Sequence, residues 1–243
     1  MSKVIVVGIG PGNDANMTFG ADQALKKANV IIGYHLYVDL IKERYPDKIF
    51  MTTSMTQEVE RCQMALDMAM QGKTVAMVCS GDSGIYGMAS LIYELRGENS
   101  VPEVEIIPGL TAACSGSALL GAPLTHDFAV ISLSDRLTPW SKIEKRLEAA
   151  AIADLSIVLY NPVSRGRPDH LLRACDILLR HLPAARICGI AQRIGRDGEN
   201  RRIMTLGELR NAEADMFCTV FVGNSMTKII AKNMVTPRGY RDV

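Results

Sequence analysis

The sequence predicts an α/β protein made of two α/β domains. Short apolar runs of strand length alternate with segments of helical character along the chain. Three of these runs end in glycine-rich turns, and in open α/β folds the loops at the carboxyl edge of the sheet bind ligands. The chain has 243 residues, of which 48% are hydrophobic, so it is long enough to bury a large core.

The first domain is predicted to span residues 1–120 and to contain a mostly parallel sheet. Its apolar runs predict strands at Val4–Val7, Val30–Ile32, Val75–Val78 and Val104–Ile107. Helices are expected at Phe19–Ala28, from Ser54 to the residue before Gly72, and at Met88–Leu95. In the middle helix, Ser54 and Gln57 form a capping-box pattern, and an apolar face is predicted from Val59, Cys62, Leu66 and Ala69.

The second domain is predicted to span residues 121–243, because Gly121-Ala122-Pro123 interrupts any helix that precedes it. This domain is expected to be α/β with a mixed sheet. Its predicted strands are Phe128–Leu133, Ser156–Tyr160, Arg186–Ala191, Arg201–Thr205 and Cys218–Val222. Its predicted helices are Trp140–Ala151, Pro168–Leu182 and Leu206–Ala212. Four apolar residues near the carboxyl terminus have helical spacing and could belong to the core or to a contact surface, and the core is expected; they are Met226, Ile229, Ile230 and Met234.

Charge and cysteine content narrow the functional class. The formal net charge is +1, which gives no overall field for nucleic acid. The 6 cysteines are widely separated and form no C-x-x-C pair, so they are expected to be reduced, buried thiols rather than disulfides or zinc ligands. No apolar run is long enough to span a bilayer, and no signal peptide is visible. These features predict a cytoplasmic protein that does not bind membranes.

The glycine-rich turns are the most informative motifs. They are Gly8-Ile9-Gly10-Pro11-Gly12-Asn13, Ser80-Gly81-Asp82-Ser83-Gly84-Ile85-Tyr86-Gly87 and Pro108-Gly109-Leu110-Thr111-Ala112-Ala113. Because each follows a predicted strand, the three loops are expected to meet at one edge of the sheet. A nicotinamide-type fingerprint is disfavoured because Asn13 replaces its third glycine, and no acid follows the second strand.

These loops, together with Tyr160-Asn161-Pro162, resemble the tetrapyrrole methylases. The run from His126 to Trp140, with Arg165-Gly166-Arg167, resembles the branch that methylates carbon 17 of precorrin-3B or cobalt-factor III, with ring contraction, in cobalamin synthesis. The resemblance implies a homodimer of two-domain subunits with S-adenosylmethionine in the cleft between domains and S-adenosylhomocysteine as product. It also implies an anionic tetrapyrrole substrate.

The resemblance further implies which residues bind the cofactor. By motif position they are Pro11, Gly81, Asp82, Ile85, Tyr86, Thr111, Ala112, Asn161 and Ala191.

The implied reaction requires proton movement as well as methyl transfer. Candidate acid or base groups beside the predicted domain junction are His126, Asp127, Ser132 and Asp135. The histidines His35, His170 and His181 are weaker candidates, and none pairs at a metal-ligand spacing. Since a corrin precursor carries many carboxylates, arginines are expected to bind it, and the candidates are Arg136, Arg165 and Arg193.

Three alternatives remain open from the sequence alone. A sibling methylase would act on uroporphyrinogen or a later precorrin. A binding module would hold the cofactor without turnover. A nicotinamide dehydrogenase would bind a dinucleotide instead of a sulfonium compound.

Overall fold

The structure, a computed structural model, describes residues 2–164 and 166–240 and forms two compact α/β units. The units are Met1–Ala112 and Ala113–Val243, whereas the predicted boundary lies between residues 120 and 121. The difference is one helix, Ala112–Leu120, whose small residues pack inside the second unit. A Cβ on its Gly116 would lie only 2.8 Å from the ring of Phe221.

The first unit contains a five-stranded sheet in which all pairings are parallel. Its strands are β1 (Lys3–Gly8), β2 (Val30–Tyr34), β3 (Ile49–Thr53), β4 (Thr74–Cys79) and β5 (Glu103–Ile107), in the spatial order β3-β2-β4-β1-β5. The four predicted strands are confirmed. The prediction missed β3 because this edge strand is partly exposed and has no continuous apolar run.

Four helices accompany this sheet: α1 (Phe19–Lys27), α2 (His35–Val38), α3 (Glu58–Met70) and α4 (Ala89–Arg96). The predicted beginning of α3 at Ser54 is wrong. Gln57 does accept a hydrogen bond from the Ser54 amide at 2.8 Å, but the helix begins at Glu58. Val59 therefore lies in the first turn and is 59% exposed, whereas Cys62, Leu66 and Ala69 are buried as predicted.

Alternate residues of the buried strands pack on opposite faces of the sheet. Val4 and Val6 belong to a core with α3 and α4, and Ile5 and Val7 belong to a core with α1. A parallel sheet covered on both faces accounts for the continuous apolar runs in the sequence.

The second unit has a mixed five-stranded sheet in the order β10-β9-β11-β8-β7, and a small three-stranded sheet in the order β12-β13-β6. The strands are β6 (Gly121–Ala122), β7 (Phe128–Ser132), β8 (Ser156–Tyr160), β9 (Ile187–Gln192), β10 (Asn200–Thr205), β11 (Cys218–Val222), β12 (Lys228–Ile230) and β13 (Asn233–Val235). Its helices are α5 (Ala112–Leu120), α6 (Trp140–Ile152), α7 (His170–Leu178) and α8 (Leu206–Leu209).

The predicted helical spacing near the carboxyl terminus is wrong. The segment forms a hairpin of β12 and β13, whose turn residues Ala231 and Lys232 have φ of 47° and 65°. Two central residues with positive φ give the twist that a tight hairpin needs. Met234 is buried, but Ile229 and Ile230 are 57% and 48% exposed.

Within residues 2–164 and 166–240, no helix has the length and apolar character needed to cross a bilayer. The same residues contain no group of three or more His, Cys, Asp or Glu side chains arranged to hold a metal ion. All six cysteines are free thiols; five are buried as predicted, while Cys114 is exposed.

Candidate active site

The three glycine-rich loops meet at the carboxyl edge of the adjacent strands β4, β1 and β5, as the sequence predicts. The Gly10 amide donates to the Gly81 carbonyl at 3.1 Å, and the Gly81 amide donates to the Gly10 carbonyl at 2.8 Å. Gly81 has φ of +71°, a left-handed conformation that favours glycine. A Cβ on Gly109 would collide with the Gly81 carbonyl and the Gly8 backbone. The loops are thus joined backbone to backbone.

Asp82 braces the second and third loops. Its Oδ1 accepts hydrogen bonds from the amides of Gly84 at 2.8 Å and Ile85 at 3.0 Å. Its Oδ2 accepts from the Gly109 amide at 2.9 Å. Bonds from several amides to one carboxylate are charge-assisted and fix the loop geometry. The carboxylate therefore positions backbone groups.

The other predicted residues of this edge differ in exposure. Pro11 and Thr111 are buried, and Ala112 is partly exposed at the beginning of α5. Ile85 and Tyr86 are exposed by 42% and 54%. Tyr86 has φ of 55°, which is rare for a bulky residue and clusters at functional sites. The exposed pair gives this edge an apolar and aromatic surface.

A second group of predicted residues lies at one edge of the sheet of the second unit. Strands β7 and β8 run parallel, and β8 and β9 both pair antiparallel with β11, so β7, β8 and β9 end at the same edge. Asn161, with φ of 54°, donates through Nδ2 to Ser132 Oγ at 2.9 Å. The Ser134 amide also donates to Ser132 Oγ, at 3.2 Å.

Asp135 lies on the loop after β7 and is held by a cation. Arg167 donates through Nε to Asp135 Oδ1 at 2.5 Å, and His170 Nε2 lies 3.6 Å from Oδ2. The hydrogen bond from Arg167 lowers the pKa of Asp135. Asp135 is consequently a carboxylate at neutral pH.

His126 and Asp127 lie at the opposite, amino end of β7, so they do not join Ser132 and Asp135 in one cluster. His126 Nε2 hydrogen-bonds the Pro237 carbonyl at 2.9 Å, and the Asp127 carbonyl accepts from the Ser156 amide at 3.2 Å. Their proximity in sequence to Ser132 does not persist in space because β7 is an extended strand between them. Both residues serve to anchor the beginning of β7.

The predicted arginines have different surroundings. Arg193, at the end of β9, lies with its guanidinium 5.7 Å from the ring centroid of Phe217, and Arg196 lies at the same distance from that ring. Arg136 is exposed on the loop after β7, and Arg165 lies outside the described residues. Ala191 is fully buried within β9, opposite Thr219.

Two neighbours belong to the same surroundings: Arg196, which the sequence places with Arg193 on one glycine-rich loop, and His170, a weaker candidate from the sequence. Arg196 is three residues after Arg193 in the same glycine-containing turn, a spacing that brings both to one aromatic ring. His170 begins α7, and its Nδ1 lies 2.8 Å from the Leu133 carbonyl oxygen, a contact between residues distant in sequence that no local pattern indicates.

Comparison with known proteins extends over both units. A family model described as Tetrapyrrole (Corrin/Porphyrin) Methylases matches residues 3–210. A Salmonella typhimurium protein named probable cobalt-factor III C(17)-methyltransferase is 48% identical over 97% of this chain and 98% of its own length. A Sinorhizobium protein named precorrin-3B C(17)-methyltransferase is 39% identical over 97% of this chain and 96% of its own length. The crystal structure of the methyltransferase CobJ matches with a TM-score of 0.89 and 36% identity, covering 96% of this chain and 99% of that one.

Proposed function

The chain belongs to the tetrapyrrole methylase family, and we propose that it transfers a methyl group from S-adenosylmethionine to carbon 17 of cobalt-factor III or precorrin-3B, with ring contraction, in cobalamin biosynthesis. The observation that carries this proposal is the convergence of three glycine loops at one sheet edge. The proposal is also supported by the 48% sequence identity to a protein that is named for this reaction. Cobalt, where present, is part of the substrate and needs no protein ligand.

The residues of the first unit fit a cofactor that combines an apolar chain, a ring system and polar groups. The glycine backbone lets the three loops approach closely, and Ile85 and Tyr86 offer exposed apolar surface beside them. When bound, S-adenosylmethionine supplies an electrophilic methyl group on a positively charged sulfur. Asp82 holds the amides of Gly84, Ile85 and Gly109 in place before the cofactor arrives. Such preorganisation supplies much of the rate enhancement when a reaction depends mainly on alignment.

The residues of the second unit supply charge and proton chemistry. Methylation of a ring carbon adds one positive charge to the substrate, so a proton must leave for neutrality to return. Asp135, ionised beside Arg167, is the candidate base, and Ser132, held by Asn161, is a neighbouring hydrogen-bonding group. Arg193 and Arg196 beside Phe217, with Arg136, are proposed to bind the carboxylates of the substrate.

A homodimer is part of the same proposal, on the basis of the family resemblance. We expect sedimentation equilibrium to give twice the chain mass of 26.5 kDa. A single species of the chain mass at micromolar concentration would contradict the dimer without affecting the proposed reaction.

The reaction is tested by incubating the purified protein with S-adenosylmethionine and, in separate assays, with cobalt-factor III, precorrin-3B, uroporphyrinogen III and a later precorrin. Mass spectrometry should show the gain of one methyl group with one or both of the first two substrates. A gain with uroporphyrinogen III or the later precorrin alone would identify a sibling methylase. Cofactor binding without methyl transfer to any of them would identify a non-catalytic binding module.

The cofactor site is tested with two matched glycine variants. Gly81→Ala and Gly72→Ala both place a side chain at positive φ, with φ of +71° and +85°. Gly81 lies on the proposed cofactor loop, whereas Gly72 precedes β4 at the opposite edge of the sheet. Calorimetry should show weaker S-adenosylhomocysteine binding for Gly81→Ala and unchanged binding for Gly72→Ala. Equal affinities in the two variants would remove this edge from the proposed site.

A further inference from the structure

The imidazole of His170 is buried, with both ring nitrogens facing hydrogen-bond acceptors. The residue is 3% exposed at the beginning of α7. Its Nδ1 lies 2.8 Å from the Leu133 carbonyl oxygen, and its Nε2 lies 3.6 Å from Asp135 Oδ2. Because a carbonyl oxygen only accepts, the proton of a neutral ring must be on Nδ1. The Nε2 lone pair of that neutral ring faces the carboxylate.

The residues around His170 hold its ring in this orientation. The Trp140 ring from α6 lies with its centroid 4.8 Å from that of His170 and covers the imidazole. The positive end of the α7 dipole disfavours an imidazolium at its first residue. The Asp135 side chain is 36% exposed, so it connects the buried ring to solvent and to any ligand at this edge.

The charged groups around the ring come from three elements. Arg167, before α7, binds the other oxygen of Asp135 at 2.5 Å. Arg173, on α7, places its guanidinium 3.9 Å from the centroid of the Trp140 ring. Asp169 directly precedes His170 in the chain. The two arginines and the helix end oppose a positive charge on the ring, whereas Asp135 and Asp169 favour it.

We propose that His170 is a positioning residue that accepts, through Asp135, the proton released by the methylated substrate. This inference rests on the proposed function. The substrate bond to the leaving proton breaks, an O–H bond forms at Asp135 Oδ2, and the proton then moves to His170 Nε2. The carboxylate is thereby regenerated, and the proton later leaves His170 for solvent through the exposed Asp135. The Nε2–Oδ2 distance of 3.6 Å shortens in this step, as catalytic hydrogen bonds commonly do when substrate binds.

The kinetic test compares His170→Asn with His181→Asn. Asn at position 170 can still donate to the Leu133 carbonyl but has no group equivalent to Nε2. His181 is a matched control because it also lies near a carboxylate, 3.9 Å from Glu148, at a position remote from Asp135 in the chain. We expect His170→Asn to lower kcat about 10-fold or more with unchanged KM. The pH dependence of kcat should also change, because the variant has no imidazole at this position. An unchanged profile would overturn the proton role.

A second measurement does not depend on activity or on the folding of a variant. The chain has 4 histidines, so long-range nitrogen–proton NMR spectra can resolve each ring. We expect the neutral His170 ring to carry its proton on Nδ1. A neutral ring protonated on Nε2 would contradict the inference even in a protein that methylates every expected substrate. Absence of methyl transfer in the wild type would instead refute the proposed function, and with it the proton step, whatever tautomer the NMR spectra show.

Discussion

At the scale of single residues, Asp82 joins two of the glycine-rich loops through three backbone amides. Asp82→Asn leaves one carbonyl oxygen for three amide donors and places an amide group against at least one of them. Since a hydrogen bond to a charged group contributes about 1.5–3 kcal/mol, we expect S-adenosylhomocysteine affinity to fall about 10-fold or more. Calorimetry measures this change. Asp67→Asn, at a carboxylate on α3 that accepts from Gln63, is the control and should bind normally.

Asp22 gives the first unit a pH-dependent contribution to stability. This buried carboxylate accepts from Lys26 at 2.6 Å, Tyr45 at 2.8 Å and Arg44 at 2.8 Å. The hydrogen bond from Lys26, aided by those from Tyr45 and Arg44, lowers its pKa to about 2 despite burial. An unfolded Asp titrates near pH 3.9, so the contribution is complete above that pH and is lost as pH falls through about 2.

Asp22→Asn should therefore lower the free energy of unfolding by about 1–2 kcal/mol at pH 7, after allowance for solvent screening of its partly exposed partners. The difference from wild type should shrink between pH 4 and pH 2. Urea unfolding at pH 7, 4, 3 and 2 measures it. Asp39→Asn, which breaks an exposed pair with Lys42, is the control. A difference that stays constant over this pH range would show that the effect is not electrostatic.

Residue patterns predicted where the loops lie better than what each side chain does. The glycine spacing indicated three loops at one sheet edge because backbone conformation depends on local sequence. Asp82 also accepts from the Gly109 amide of another loop, and Asp135 binds Arg167, which is distant in sequence, so only the folded chain reveals these partners. His126 and Asp127 are close to Ser132 in sequence, but they lie at opposite ends of the extended strand β7, so they are apart in space.

At the scale of elements, α5 is fitted to the sheet of the second unit by its small residues. A Cβ on Gly116 would lie 2.8 Å from Cζ of Phe221, a fully buried ring. We expect Gly116→Ala to lower the free energy of unfolding by about 1–3 kcal/mol through overpacking, although alanine is the better helix former. Urea unfolding measures this loss.

The control for this substitution is Gly20→Ala in α1. Its Cβ would meet only Ile107 Cγ2, at 3.7 Å, an ordinary contact. The higher helix propensity of alanine then dominates, so the free energy of unfolding of this variant should rise by up to about 1 kcal/mol. A gain in both variants would mean that α5 moves easily away from Phe221.

Helices and strands with a clear apolar pattern could be predicted from the sequence. Strands that form only because they pair with a neighbouring strand could not. β8 and β11 have the predicted bounds because each is a continuous run of buried, mostly apolar residues. β3 and the β12–β13 hairpin are half-exposed, so their strand conformation comes from pairing partners rather than from an apolar pattern. Four apolar residues at helical spacing were compatible with both a helix and this hairpin.

At the scale of the whole molecule, we propose that one unit binds the cofactor and the other binds the substrate carboxylates. The first unit carries the glycine loops braced by Asp82, and the second carries Arg136 and the Arg193–Arg196 pair beside Phe217. The glycine spacing predicted the loops, and the carboxylates of the substrate that the family resemblance implies led to the prediction of the arginines. The aromatic support of the arginines could not be predicted, because Phe217 is distant from them in sequence and meets Arg193 through the pairing of β9 with β11.

If the two units have these separate roles, variants of each unit should change a different binding constant. Arg193→Ala and Arg136→Ala should each raise KM for the tetrapyrrole about 10-fold, since each removes a cation for a substrate carboxylate. Neither should change the dissociation constant of S-adenosylhomocysteine, which Asp82→Asn weakens. Arg180→Ala, at an exposed arginine paired with Glu144, is the control and should leave both constants unchanged. Steady-state kinetics and calorimetry on the four variants measure the two constants separately. A loss of cofactor affinity in Arg193→Ala as large as that in Asp82→Asn would place this arginine at the cofactor and contradict its role in substrate binding.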